Sequence, residues 1–154
     1  MLPDAGLEQA VKACVRAAML NSGQSCNAPT RLLVPNANME AAIGIARAAV
    51  ETITVGDPLQ DAQIGPVVSE AHWNRIQALI QRGIEEGATL VAGGTGKPTG
   101  LSKGYYVKPT VFAHVRNDMT VARQEIFGPV VVMIGYYDVD DAVEQQQPSR
   151  DGGQ

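Results

Sequence analysis

The segment that most constrains the fold is Val130-Val131-Val132-Met133-Ile134, five consecutive apolar residues, most of them β-branched. β-branched side chains favour extended backbone, and a run without polar alternation fits a strand covered on both faces. Covering it takes helices, and the chain offers several. Leu7, Val11, Cys14 and Ala18 fall on one face of a 3.6-residue period, predicting a helix over Leu7–Leu20 with Asp4 as its cap. Met39, Ala42, Ile43, Ala46 and Val50 mark a second helix behind Asn38 as cap, ending before the turn residues Gly56-Asp57-Pro58. Ser69 opens a third, with Trp73, Ile76, Leu79, Ile80, Gly83 and Ile84 on one side and Gly87 as a left-handed terminator. On this pattern Trp73 reads as core, and the histidines His72 and His114 show no partner pattern.

Between these helices lie short apolar strands, Thr30–Val34 ended by Pro35 and Thr89–Ala92. A Gly/Lys/Pro/Thr-rich run from Gly93 to Gly104 separates the latter from Tyr105-Tyr106-Val107, and Asp138–Val143 begins another helix. Alternating helices and strands predict an α/β fold, a mostly parallel or mixed sheet flanked by helices. From Glu144 the periodicity stops, and the Gln-rich tail 144–154 is expected to be disordered or aberrant, with one folded domain over 1–143.

Composition removes several function classes. At 154 residues, 45% hydrophobic and 18% charged, the chain can bury the core of one globular domain. Sixteen acidic against twelve basic residues, with Lys and Arg scattered, leave no basic stripe for nucleic acid. No apolar run reaches membrane-spanning length, and the start lacks the basic and apolar regions of a signal peptide, so a cytoplasmic protein is expected. Two cysteines and two distant histidines make neither a disulfide framework nor a metal cluster, so no metal site is expected. Gly93-Gly94-Thr95-Gly96-Lys97-Pro98 is not a phosphate loop, because Pro98 replaces the required Ser/Thr and Val91 stands where a glycine is needed.

The two cysteines have different surroundings. Cys14 belongs to an apolar helix stripe and reads as a small buried hydrophobe. Cys26 sits on the connection Asn21-Ser22-Gly23-Gln24-Ser25-Cys26-Asn27, whose small residues leave room for a ligand to approach sulfur and for backbone N–H groups to face a developing oxyanion. No His, Lys or helix N-terminus lies close in sequence to activate it, so the local pattern by itself favours a partly buried loop thiol.

Asn21-Ser22-Gly23-Gln24-Ser25-Cys26, followed by Ala28-Pro29-Thr30-Arg31, resembles the active-site cysteine segment of the aldehyde dehydrogenase superfamily. Further on, Gln124-Glu125-Ile126-Phe127-Gly128-Pro129-Val130 resembles that family's Glu-Xaa-Phe-Gly-Pro segment. Val55-Gly56-Asp57-Pro58, Ile64-Gly65-Pro66, Gly93-Gly94 and Pro109-Thr110-Val111 resemble family segments in the same order, so the similarity runs from about Asp4 to Val143.

The resemblance implies a truncated three-layer catalytic domain in which Cys26 is the nucleophile. It would attack an aldehyde to give a thiohemiacetal, then, after hydride transfer to NAD or NADP, a thioester that is hydrolysed to the acid. Glu125 would bind the nicotinamide ribose hydroxyls, and Phe127 would pack beside the nicotinamide or the ribose. Whether water or a CoA thiol receives the acyl group, and which aldehyde and dinucleotide are used, the resemblance leaves open. The family's dinucleotide-binding domain, its Glu-Leu-Gly-Gly segment and its oxyanion-hole asparagine lie upstream in full-length relatives and are not found here. A chain truncated, or shifted in frame near Glu144, is therefore expected to bind no cofactor and to be inactive alone. The competing expectation is a fold remnant or self-associating module with an unactivated Cys26, and a homo-oligomer fits either reading.

Overall fold

The structure is a computed structural model that describes residue 1 and residues 4–146. In order, the chain forms α1 (Leu7–Met19), β1 (Arg31–Pro35), α2 (Met39–Glu51), α3 (Glu70–Glu85), β2 (Thr89–Ala92), β3 (Thr110–Ala113), α4 (Thr120–Arg123), β4 (Val130–Tyr136) and α5 (Val139–Gln146). The four strands form one mixed sheet in the order β1-β4-β3-β2. β4 pairs in parallel with β1 on one side and with β3 on the other, while β2 runs antiparallel to β3.

The most apolar strand is thus a central one, and its side chains divide between two cores. Val131 and Met133 face the side covered by α1 and α2, together with Val111 and Ala113 of β3. Val130, Val132 and Ile134 face the side of α3 and α4, together with Phe112. Successive strand residues point to opposite faces, so both cores claim residues of one unbroken apolar run, and alternation vanishes from the sequence. Val11, Val15, Ala18 and Met19 of α1 and Met39, Ala42, Ala46 and Ala49 of α2 complete the first core; Ile76, Leu79 and Ile80 of α3 anchor the second. This is the expected layering of helix, sheet and helix.

Several local expectations need correction. α1 starts at Leu7 with Gly6, not Asp4, in the capping position, and neither Gly6 nor Asn38 offers a side-chain hydrogen bond to its helix. Ser69 does cap α3, its hydroxyl accepting from the His72 N–H at 3.2 Å, and Gly87 adopts the left-handed conformation at φ +89°. Tyr105–Val107 forms no strand; the third strand lies just beyond it at Thr110–Ala113. Trp73 is only half-buried, because its indole N–H reaches the Tyr106 carbonyl at 2.8 Å and Lys97 lies over its ring. Ile84 lies at the edge of the stripe and is partly exposed. α5 continues to Gln146, and the Gln145 carbonyl accepts a hydrogen bond from Arg31 at 2.6 Å; the remainder of the tail lies outside the described residues. No helix among the described residues is long and apolar enough to cross a membrane.

Candidate active site

The cysteine segment forms a succession of tight turns. Asn21, Ser22 and Gly23 all take left-handed backbone conformations, at φ +52°, +57° and +72°. Such conformations strain residues that carry a Cβ, by roughly 1–3 kcal/mol each, and persist where side chains hold them. Here the Asn21 amide donates to the Gln24 carbonyl at 3.0 Å, and the buried Ser22 hydroxyl donates to the Gly65 carbonyl at 2.8 Å. Beyond this knot, the Ala28 N–H donates to the Ser25 carbonyl at 3.1 Å, closing a turn with Cys26 and Asn27 at its corners. Cys26 is therefore exposed at a turn tip, and its N–H is bonded to no carbonyl among the described residues.

Cys14 is held differently. Its thiol donates to the Pro29 carbonyl at 3.3 Å, and burial pushes its pKa up to about 11. The reading of Cys14 as a structural thiol and Cys26 as the accessible one agrees with this division.

The topology explains how the second motif reaches the first. β1 and β4 are parallel neighbours, so the loops that enter them emerge at the same end of the sheet. The cysteine segment enters β1, and Gln124–Pro129 enters β4. Where they meet there is no room for a side chain. A Cβ added to Gly23 would overlap the Gly128 carbonyl and lie 2.6 Å from the Pro129 nitrogen. Glycine at position 23 is required twice over, by its positive φ and by this approach.

The Glu125–Phe127 turn is fixed by α3. Arg75 donates to the Glu125 carbonyl at 2.6 Å and to the Ile126 carbonyl at 3.0 Å, while His72 Nε2 lies 2.7 Å from the Phe127 carbonyl. Because a carbonyl can only accept, that last bond places the proton of His72 on Nε2. Phe127 itself is left-handed at φ +56°, its ring edge-on to His72 at 6.1 Å. Ile126 points into the core, Glu125 is exposed and Phe127 half-exposed. The sequence reading missed His72 and Arg75, since a helix residue that binds backbone carbonyls leaves no side-chain pattern. The position of His72 one turn into a capped helix was the only trace.

Glu125, Ile126, Arg123 and Gln124 also line a cleft of about 290 Å³ with Thr30 and Arg31. Arg31 donates to Asn117 at 2.7 Å, and desolvation lowers the pKa of its guanidinium. Among the described residues no three His, Cys, Asp or Glu side chains gather as a metal ion would need.

The same arrangement of segments recurs in known proteins. A sequence model of the aldehyde dehydrogenase family matches residues 1–152. The chain is 46% identical over 145 residues to a 3-succinoylsemialdehyde-pyridine dehydrogenase of a Pseudomonas species, covering 94% of this chain and 30% of that protein. Among solved structures it is similar to a cysteine-to-alanine mutant of aldehyde dehydrogenase C from Pseudomonas syringae, complexed with NAD+ and octanal. That likeness has a TM-score of 0.92 at 46% identity, over 94% of this chain and 30% of that one. An aldehyde dehydrogenase of Mycobacterium tuberculosis complexed with NAD+ gives a TM-score of 0.89 at 42% identity, again over 94% of this chain and 30% of the other. The chain thus spans about 30% of the length of these relatives. An alignment in sequence and in backbone that covers 94% of the chain at 46% identity establishes descent as well as shape: the chain belongs to the aldehyde dehydrogenase family.

Proposed function

We propose that this chain carries the nucleophile-bearing part of an NAD(P)-dependent aldehyde dehydrogenase, and that these 154 residues do not sustain turnover alone. The observation that carries the reading is the seating of the Gly23 loop on Gly128–Pro129, which joins the two motifs in one place. Cys26 would act as its thiolate, adding sulfur to the aldehyde carbon and leaving a negative charge on the former carbonyl oxygen. The uncommitted Cys26 N–H suits that charge, because a donor fixed beside the sulfur meets it where it forms. The chemistry that NAD(P) supplies when bound is acceptance of the hydride leaving the former aldehyde carbon. Attack of water on the resulting thioester releases the carboxylic acid and returns the thiol.

The exposed residues fit the cofactor roles. Arg75 binds the carbonyl of Glu125, not its carboxylate, which remains available to two ribose hydroxyls. Phe127 is partly exposed, which leaves it able to pack beside the nicotinamide or ribose. Relatives bound to NAD+, one of them also to octanal, support a dinucleotide and an aliphatic aldehyde as ligands. These 154 residues span about 30% of the length of the relatives, and the expectation that they do not turn over by themselves rests on non-additivity: groups that act as a unit forfeit effects each worth about a hundredfold or more when taken apart.

A chromogenic acetate ester tests the nucleophile and an aldehyde with NAD or NADP tests turnover. We expect a stoichiometric burst of nitrophenolate that Cys26→Ser abolishes, and no sustained formation of reduced nicotinamide. A burst unchanged in Cys26→Ser would remove the nucleophile; robust turnover would show that these 154 residues suffice for the reaction. The competing reading, a self-associating module, draws on the exposed Leu59 (92%), Tyr137 (87%) and Val68 (79%). It requires concentration-dependent sedimentation together with an inert Cys26.

A further inference from the structure

One short stretch of chain grips both motifs. Gly65 accepts the Ser22 hydroxyl, and the Val68 N–H donates to the Gln24 side-chain oxygen at 3.0 Å, so the cysteine loop is tied down just ahead of α3. Within α3, His72 and Arg75 take the three successive carbonyls of Glu125, Ile126 and Phe127. Ile76 lies under the same turn, since a Cβ on Gly128 would fall 2.7 Å from its Cδ1. His72, Arg75 and Ile76 stand at i, i+3 and i+4, one face of one helix, and the Ser69 cap fixes where that helix begins.

We propose that Gly65–Ile76 is a bracket that sets the position of the cysteine loop against the Glu125–Phe127 turn, with Arg75 and His72 as its positioning residues. The inference deepens the proposed function, and its value for chemistry rests on that reading. Arg75 and His72 touch neither reacting atom. They act through the backbone from which Glu125 and Phe127 project.

The requirement for arginine is geometric. Two adjacent carbonyls are served by two parallel N–H groups of one planar fork, which a lysine ammonium cannot reproduce. His72 matters differently, because the left-handed Phe127 carries a carbonyl that would otherwise be left without its partner. Removing either residue leaves the sheet and both cores in place, since neither side chain belongs to them. What is lost is the registration between two loops.

The test attaches a nitroxide to exposed Cys26 of the full chain in a Cys14→Ser background and reads paramagnetic broadening of backbone amides. In the parent chain we expect strong broadening at Ile126, Phe127 and Gly128. Arg75→Gln and His72→Leu should each reduce it about threefold or more through local opening of the turn, with Val131–Ile134 unchanged as a record of the intact sheet. Arg75→Lys should recover less than half of the effect, and His72→Gln, which keeps a donor, most of it. Should Arg75→Gln fail to fold, the Arg75→Lys and His72→Leu pair carries the same comparison. Broadening unaffected by these substitutions overturns the bracket, as does full recovery by lysine, which would leave charge alone as the cause. An ester burst that survives Cys26→Ser, alongside the expected broadening pattern, would discard the catalytic reading and keep the bracket.

Discussion

Gly23 rests directly on the Gly128 carbonyl, so segments separated in sequence by α2, α3 and the β2–β3 pair are in backbone contact. Alanine at position 23 must both hold φ near +72° and displace the Gly128–Pro129 peptide. We predict that Gly23→Ala destabilises the fold by at least about 2 kcal/mol, the sum of left-handed strain and overpacking. Urea denaturation of the two proteins measures this, and a loss below about 0.5 kcal/mol would mean the contact is looser than the geometry states.

The two thiols should separate cleanly. With Cys26 exposed and Cys14 held by the Pro29 carbonyl and raised to about 11, iodoacetamide at neutral pH should modify one equivalent, which Cys26→Ser removes. The second equivalent should appear only in denaturant. An activated Cys26 also alkylates faster than a free thiol in solution, and a rate equal to that reference favours the self-associating module instead.

Glu86 joins the end of α3 to the start of α4. Its carboxylate accepts the Thr120 hydroxyl at 2.6 Å and the Thr120 N–H at 2.7 Å, and Arg82 lies 2.9 Å away. The hydrogen bond from the Thr120 hydroxyl, with smaller help from the Thr120 N–H and Arg82, lowers its pKa below the usual 4.5 against an opposing desolvation effect. A folded-state value below the unfolded one stabilises above about pH 4.5 and loses that contribution as pH falls through the folded value. Glu86→Ala should therefore cost about 1–2 kcal/mol at pH 7, as capping bonds do, and the pH-dependent share of that gap should shrink toward pH 3. Parallel urea curves at the two pH values check the sign; a gap that widens on acidification contradicts it.

Phe112 is fully buried between the sheet and α3, its ring against the small surface of Gly83. Phe112→Ala opens a cavity that Gly83 cannot fill and should cost about 3–5 kcal/mol. Thermal unfolding reads this as a large fall in Tm, and a shift of only a degree or two would show that the second core collapses around the gap.

Much of the fold was legible in the chain because it depends on local period. The helix stripes of α1, α2 and α3, the Ser69 cap, the Gly87 terminator and the apolar run of β4 each follow from what a 3.6-residue or extended backbone does with neighbouring side chains. The third strand was not, because Thr110–Ala113 is too short to show a period and is held extended by pairing with β4 on one side and β2 on the other. Cys26, Glu125 and Phe127 were singled out as candidates through resemblance; their local chemistry alone is that of ordinary loop residues.

What the sequence determined was which segments are helix or strand and which face of each is apolar, since these are set by residues within a few positions of one another. Only the tertiary structure decided that the loop entering β1 lies against the loop entering β4, and that His72 and Arg75 close on the second of them. Parallel pairing aligns strand ends however far apart they are in the chain, and carbonyls have no side-chain signature for a helix to advertise. The first contact is backbone on backbone and the second is side chain on backbone, and both are brought together only by folding.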